Sequence, residues 1–184
     1  AETLRRVADM CKKYSVTVIS DEIHCDLTDP GCEYIPFASV SDTARLNSIT
    51  CAAPTKSFNI AGLQTAAVIV PDPVLRHKVW RSLNTDEVAE PNVFAVDAVV
   101  AAYDEGAEWF DALRGYIYDN KKYAEEIIGS FKNIRLVKSQ ATYLLWLDCT
   151  AMPLKGDALA EDLRNKTGLY LSSGSAYKGN EAGF

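Results

Sequence analysis

The 184-residue chain carries 19 Lys and Arg against 25 Asp and Glu, a formal net charge of −6, and 48% of its positions are hydrophobic. That apolar fraction suffices for a packed core and excludes a disordered tail, while the acidic balance lacks the basic face with which a dedicated nucleic-acid binder neutralises phosphates. No apolar run approaches the roughly 18 residues that span a bilayer, and the charged amphipathic start, residues 1–11, is unlike a signal peptide, so a soluble, cytoplasmic protein without membrane or nucleic-acid partners is expected.

Residues 2–14 read as a helix with Leu4, Val7, Ala8 and Cys11 on one stripe. Val16 to Ile19 follow as a short β-branched run ending at Ser20, Asp21 and Glu22. A helix followed at once by a continuously apolar strand is the grammar of an α/β fold with a parallel sheet covered on both faces. The turn residues Asp29, Pro30 and Gly31 lead to further strands expected at 46–51 and 65–70, with a polar stretch, 53–64, between them. Pro71 and Pro73 open a helix. Helical periodicity resumes over 92–103, and residues 107–131 read as one long helix tying residues 1–106 to a small α+β unit, 132–184. Within that unit strands are expected at 134–138, 143–148 and 169–172, with a helix at 157–167. Ala1 in place of an initiator Met and the abrupt finish at Phe184 suggest an interior piece of a longer chain.

Ligands in open parallel sheets bind outside the carboxyl ends of strands, which directs attention to residues 21–26 and 53–64. Five widely spaced cysteines without a CxxC argue for free thiols rather than a disulfide framework or a structural zinc site. His24 and Asp26 form an H-x-D pair, and His77 formally completes a facial triad, but His77 falls in a charged amphipathic helix, so no metal is expected. There is no G-x-S-x-G, and Ser172-Ser173-Gly174-Ser175 lacks the strand-turn-helix surroundings of a nucleophile elbow. The remaining constellation pairs Asp21, at a strand end, with Lys56 among small and polar neighbours. An amine there could form a Schiff base if its surroundings freed it of its proton, and a strand-tip carboxylate could hold a pyridinium nitrogen. A solvated surface lysine is the alternative.

Val18-Ile19-Ser20-Asp21-Glu22-Ile23-His24-Cys25-Asp26 and Ala53-Pro54-Thr55-Lys56-Ser57-Phe58-Asn59-Ile60-Ala61-Gly62-Leu63-Gln64, in this order and separation, resemble paired segments of the fold-type I pyridoxal 5'-phosphate (PLP) enzymes of the aminotransferase superfamily. Within that superfamily the chain resembles the MalY/PatB branch, the cystathionine β-lyase-like carbon–sulfur lyases, and the resemblance extends to Gly179-Asn180-Glu181-Ala182-Gly183-Phe184. The resemblance implies the second half of a PLP-binding large domain, mainly parallel in its sheet, over 1–106, a linking helix over 107–131, and a truncated small C-terminal α+β domain.

It also implies roles. Lys56 matches the lysine that binds PLP as an imine, Asp21 the carboxylate paired with the pyridine nitrogen, and His24 the position contacting the ring's phenolic oxygen. Thr55 matches a hydroxyl within reach of the phosphate. Gln64 stands where aminotransferases commonly carry a phosphate-binding Arg, and Ala53 where Ser is frequent; Gln64 is typical of the lyase branch. The implied parent is a homodimeric lyase acting on a sulfur-containing amino acid and releasing pyruvate, ammonia and a thiol, with an aminotransferase as the alternative. The family's phosphate turn, ring-stacking aromatic and substrate-carboxylate Arg have no counterpart in these 184 residues, so this piece alone is expected to be inactive, or to serve only as a folded, non-catalytic domain.

Overall fold

Helix α1 (Glu2–Lys13) carries Glu2 in its first turn and Lys12 and Lys13 in its last, each favourable to the helix dipole. Ser15, at φ 56°, then turns the chain into strand β1 (Val18–Asp21). The computed structural model describes residues 1–177, so the resemblance over 179–184 lies outside the described residues. The chain divides into two compact units, Ala1–Arg114 and a second beginning at Gly115.

In the first unit β1 runs parallel to β2 (Ser48–Ala52), with Asp21 opposite Cys51, and β2 pairs antiparallel with β3 (Ala67–Ile69). The α/β class is as expected, and the parallel pairing joins β1 to β2, the two strands that precede the loops of interest. Between them lies a short helix that sequence reading missed, α2 (Asp42–Leu46), capped by the Ser41 hydroxyl, which accepts the Ala44 N–H at 3.1 Å. Leu46, taken as the start of a strand, is therefore the last residue of a helix.

The core joins Ala8 of α1, Phe37, Val40 and Ala44, with Leu4 and Val18 packed against it. It covers one face of the sheet. By strand alternation Ile19 points to the other face, and there it is 69% exposed. Coverage of both faces was expected; within the described residues α1, α2 and the turn at Phe37–Ser39 form one layer on Val18's side.

Beyond β3, α3 (Pro73–Thr85) starts on Asp72, whose carboxylate accepts the Leu75 N–H at 2.7 Å, with Pro73 in the first turn. Helices α4 (Ala95–Glu105) and α5 (Ala107–Gly129) meet at Gly106. A β-carbon there would lie 2.4 Å from the Ala102 carbonyl oxygen and 2.5 Å from the Phe58 ring. Gly106→Ala is thus expected to lower the stability of the first unit by about 1–3 kcal/mol, the cost of forced overpacking, readable in urea or thermal unfolding. An unchanged midpoint would show that the helix junction yields freely.

In the second unit β4 (Arg135–Val137) and β5 (Trp146–Asp148) form an antiparallel pair, followed by α6 (Gly156–Thr167), which ends on Gly168 at φ 75°. Cys149 and Leu159 centre its core, with Ile134, Leu147, Met152 and Leu163 around them. The strand expected at 169–172 is absent: no described strand pairs with this segment, and it runs as irregular chain, Leu171 on the core, into the turn Gly174–Ala176. No helix among the described residues is long and apolar enough to cross a membrane.

Candidate active site

Asp21 is the last residue of β1 and is exposed, its Oδ1 accepting the Ile23 N–H at 3.3 Å. Its partner across the parallel ladder, Cys51, has a thiol pushed up by burial and by the Asp21 charge. The next residue, Glu22, is buried and is the clamp of this turn. One carboxylate oxygen accepts the Ser20 hydroxyl at 2.9 Å and the Phe37 N–H at 3.0 Å. The Tyr34 hydroxyl faces the same carboxylate, and burial together with the influence of Glu22 holds the phenol well above the usual tyrosine range. A buried carboxylate needs such donors, and this one fixes the backbone on which Asp21 and His24 stand. The chain then coils through Cys25 N–H to Glu22 C=O (3.0 Å) and Leu27 N–H to His24 C=O (3.1 Å), leaving His24 half-buried.

The loop after β2 is tighter. Phe58 N–H donates to Pro54 C=O at 2.8 Å and Ile60 N–H to Thr55 C=O at 3.0 Å, with Asn59 left-handed at φ 54°. Ala53, Thr55 and Ser57 are buried, and Lys56 between the last two is half-buried. No hydrogen bond or ion pair joins the Lys56 amine to another described residue. Phe58 anchors the loop, its ring edge-on to Tyr103 (5.8 Å), stacked on Trp109 (6.1 Å) and tilted against Phe110 (5.3 Å). Gln64 closes the next turn, exposed and left-handed at φ 49°. Asn92 donates its side-chain amide to the Leu63 carbonyl at the same turn.

Two further ties hold the loop after β1. Arg114 donates to the Thr28 carbonyl and hydroxyl, both at 3.1 Å. The Ser57 hydroxyl donates to Asp26 Oδ2 at 2.9 Å, joining the two loops directly. Asp26 Oδ1 accepts the Cys25 thiol at 3.5 Å, and burial with the Asp26 charge and this bond pushes Cys25 up to about 11.

Asp21 at the end of β1 and His24 in the loop after it, with Thr55 and Lys56 in the loop after β2, therefore stand at the carboxyl ends of adjacent parallel strands. Gln64 lies at the far end of the second loop. His77 is elsewhere, on α3 and stacked on Trp80 at 6.2 Å, and among the described residues no three His, Cys, Asp or Glu side chains are gathered to hold a metal ion. Sequence reading missed Glu22, Ser57 and Phe58 as supports of the site. Their only sequence signal is their place beside Asp21 and Lys56.

A carboxylate at one strand end and an amine on the loop after its parallel neighbour lie at the carboxyl edge of the sheet, the place where open α/β domains bind ligands. The chain belongs to the aminotransferase class I and II family, whose sequence model matches residues 1–182. It is 41% identical over all of its 184 residues to cystathionine beta-lyase PatB of Bacillus subtilis, covering 48% of that protein. With protein MalY of Escherichia coli the identity is 35%, over the whole chain and 47% of the relative. The structure superposes on cystalysin from Treponema denticola, which contains a pyridoxal 5'-phosphate cofactor, with a TM-score of 0.92 at 26% identity, covering 98% of this chain and 46% of cystalysin. The chain spans about half the length of the relatives it matches.

Proposed function

We propose that this chain is part of a PLP-dependent carbon–sulfur β-lyase of the cystathionine β-lyase type, homodimeric and cytoplasmic, with residues 1–106 in its large domain, 107–131 as linking helix and 132–184 in its small domain. The observation that carries the reading is Asp21 at the end of β1 with Lys56 on the loop after the parallel strand β2, within a chain 41% identical to a cystathionine β-lyase. The donor set fits PLP: an amine without a competing partner among the described residues, an exposed carboxylate fixed by a backbone N–H, a half-buried imidazole and a buried threonine.

When bound, PLP supplies an electron sink for negative charge at the α-carbon of an amino acid. Lys56 would hold the cofactor through Nζ and, once displaced by the substrate amine, take the α-proton. Asp21 would keep the pyridine nitrogen protonated, His24 would face the phenolic oxygen, and the Thr55 hydroxyl would face the phosphate. With the α-proton taken by Lys56, the β-carbon–sulfur bond could break with its electron pair leaving on the thiolate, and water would complete the conversion to pyruvate and ammonia.

The test uses the full-length protein with PLP and cystathionine. Pyruvate released without any keto-acid acceptor, and borohydride fixation of PLP on the peptide bearing Lys56, are expected. Turnover only with an acceptor would make the protein an aminotransferase, and fixation elsewhere would remove Lys56 from the site.

A further inference from the structure

The lysine-bearing loop has no strand or helix of its own to hold it, yet its centre is buried. Ser57, next to Lys56, is fully buried, and its hydroxyl reaches across 31 residues of sequence to Asp26 Oδ2 at 2.9 Å. Asp26 is half-buried, and its other oxygen takes the Cys25 thiol. The Tyr103 phenol, on α4, lies close enough for burial and the charges of Asp26 and Cys25 to push its ionisation up. Asp26 thus joins the loop after β1 to the loop after β2, and neither it nor Ser57 has a part in the chemistry above.

We propose that Asp26 and Ser57 are positioning residues: their hydrogen bond locks the loop after β2 against the loop after β1 and so sets where the Lys56 amine stands relative to Asp21. The inference rests on the lyase reading for its kinetic consequence and on geometry alone for its effect on Lys56. The backbone of the loop already carries two hydrogen bonds, Phe58 N–H to Pro54 C=O and Ile60 N–H to Thr55 C=O. Those bonds shape the loop internally and the Phe58 ring packs it against α4 and α5, whereas the Ser57 side-chain bond is the tie that crosses to the loop after β1. A displacement on the order of 1 Å at a reacting group costs about 10²-fold in rate, so a tie one residue from the amine has leverage that its modest stabilisation does not measure. Charge assistance from the Asp26 carboxylate makes it a stronger tie than a neutral pair.

The experiment compares Ser57→Ala, Asp26→Ala and Asp26→Asn in the full-length protein, reading kcat and KM for pyruvate release and, separately, reductive methylation of Lys56 without PLP by peptide mass spectrometry. Ser57→Ala is expected to lower kcat at least tenfold with KM within threefold, and to raise Lys56 methylation at least threefold. Methylation of Lys121, buried in the second unit, stays constant. Asp26→Asn, which keeps one acceptor oxygen for Ser57, should retain several times the kcat of Asp26→Ala. The double variant Ser57→Ala/Asp26→Ala should be no slower than Asp26→Ala, because one bond is removed either way. If Ser57→Ala leaves kcat and Lys56 methylation unchanged, or if the two substitutions multiply, the positioning role is wrong. Should Ser57→Ala fold poorly, the ordering of Asp26→Asn against Asp26→Ala decides. Failure of the unsubstituted protein to fix PLP on Lys56 would refute the lyase reading alone, since the methylation comparison still judges the tie.

Discussion

Lys56→Ala is expected to lower kcat/KM for pyruvate release by about 10⁴-fold or more, since one substitution removes both the group that holds the cofactor and the base for the α-proton. Lys56→Arg should fare no better. A guanidinium keeps its proton throughout the working range, so it supplies neither a nucleophilic amine nor a base, although its charge and reach are similar. Both variants should fold normally, because Lys56 is half-buried and its amine holds no described neighbour in place; replacements at such positions cost within about 0.5 kcal/mol. Borohydride should then leave no label on the peptide spanning 53–60. A variant retaining activity within tenfold of the unsubstituted protein would take both roles away from Lys56.

Why this lysine was legible from sequence while its supports were not follows from range. Asp21 and Lys56 sit in two contiguous segments whose residue types are distinctive as runs. The Ser57–Asp26 bond joins positions 31 residues apart, and neither residue is unusual in its own neighbourhood. Glu22 looks like an ordinary charged residue after a strand, and only the fold brings the Phe37 N–H and Tyr34 hydroxyl to it. Phe58 could be read as apolar, but its packing on Tyr103, Trp109 and Phe110 depends on the junction of α4 and α5 at Gly106.

The same division runs through the fold. Long periodic segments such as α1 and α5 were legible nearly to their ends, because burial of one stripe is written in the local sequence. Short strands shifted. The run Val16 to Ile19 is apolar, yet pairing begins at Val18, where the Val18 N–H meets the Asn47 carbonyl at 3.0 Å and the Asn47 side chain takes up the Val16 carbonyl at 2.8 Å. Pairing depends on a partner some 30 residues away, which no local pattern contains. For residues 169–172 the apolar pattern suits a strand, but a strand requires a bonded neighbour, and no described strand pairs with this segment, whose Leu171 packs on the core instead.

Asp21→Asn should lower kcat by about 10²–10³-fold, the range for removing one preorganised electrostatic group, with the fold retained. The carboxylate does two separable things. Its Oδ1 accepts the Ile23 N–H at 3.3 Å, which an amide oxygen can also do, so the turn after β1 survives. Its negative charge is the part that would hold a proton on the pyridine nitrogen, and a neutral amide cannot replace that. Asp21→Glu separates charge from place: it restores the charge one methylene further out, at a strand end whose backbone is fixed by the Glu22 clamp and by the ladder to Cys51. It should therefore recover part of the loss, ending about tenfold below the unsubstituted protein. Measured kcat in the order Asp, Glu, Asn would identify charge as the working property, with distance modulating it. Equal rates for Asp21→Asn and the unsubstituted protein would mean that the exposed carboxylate at the end of β1 serves only its own turn.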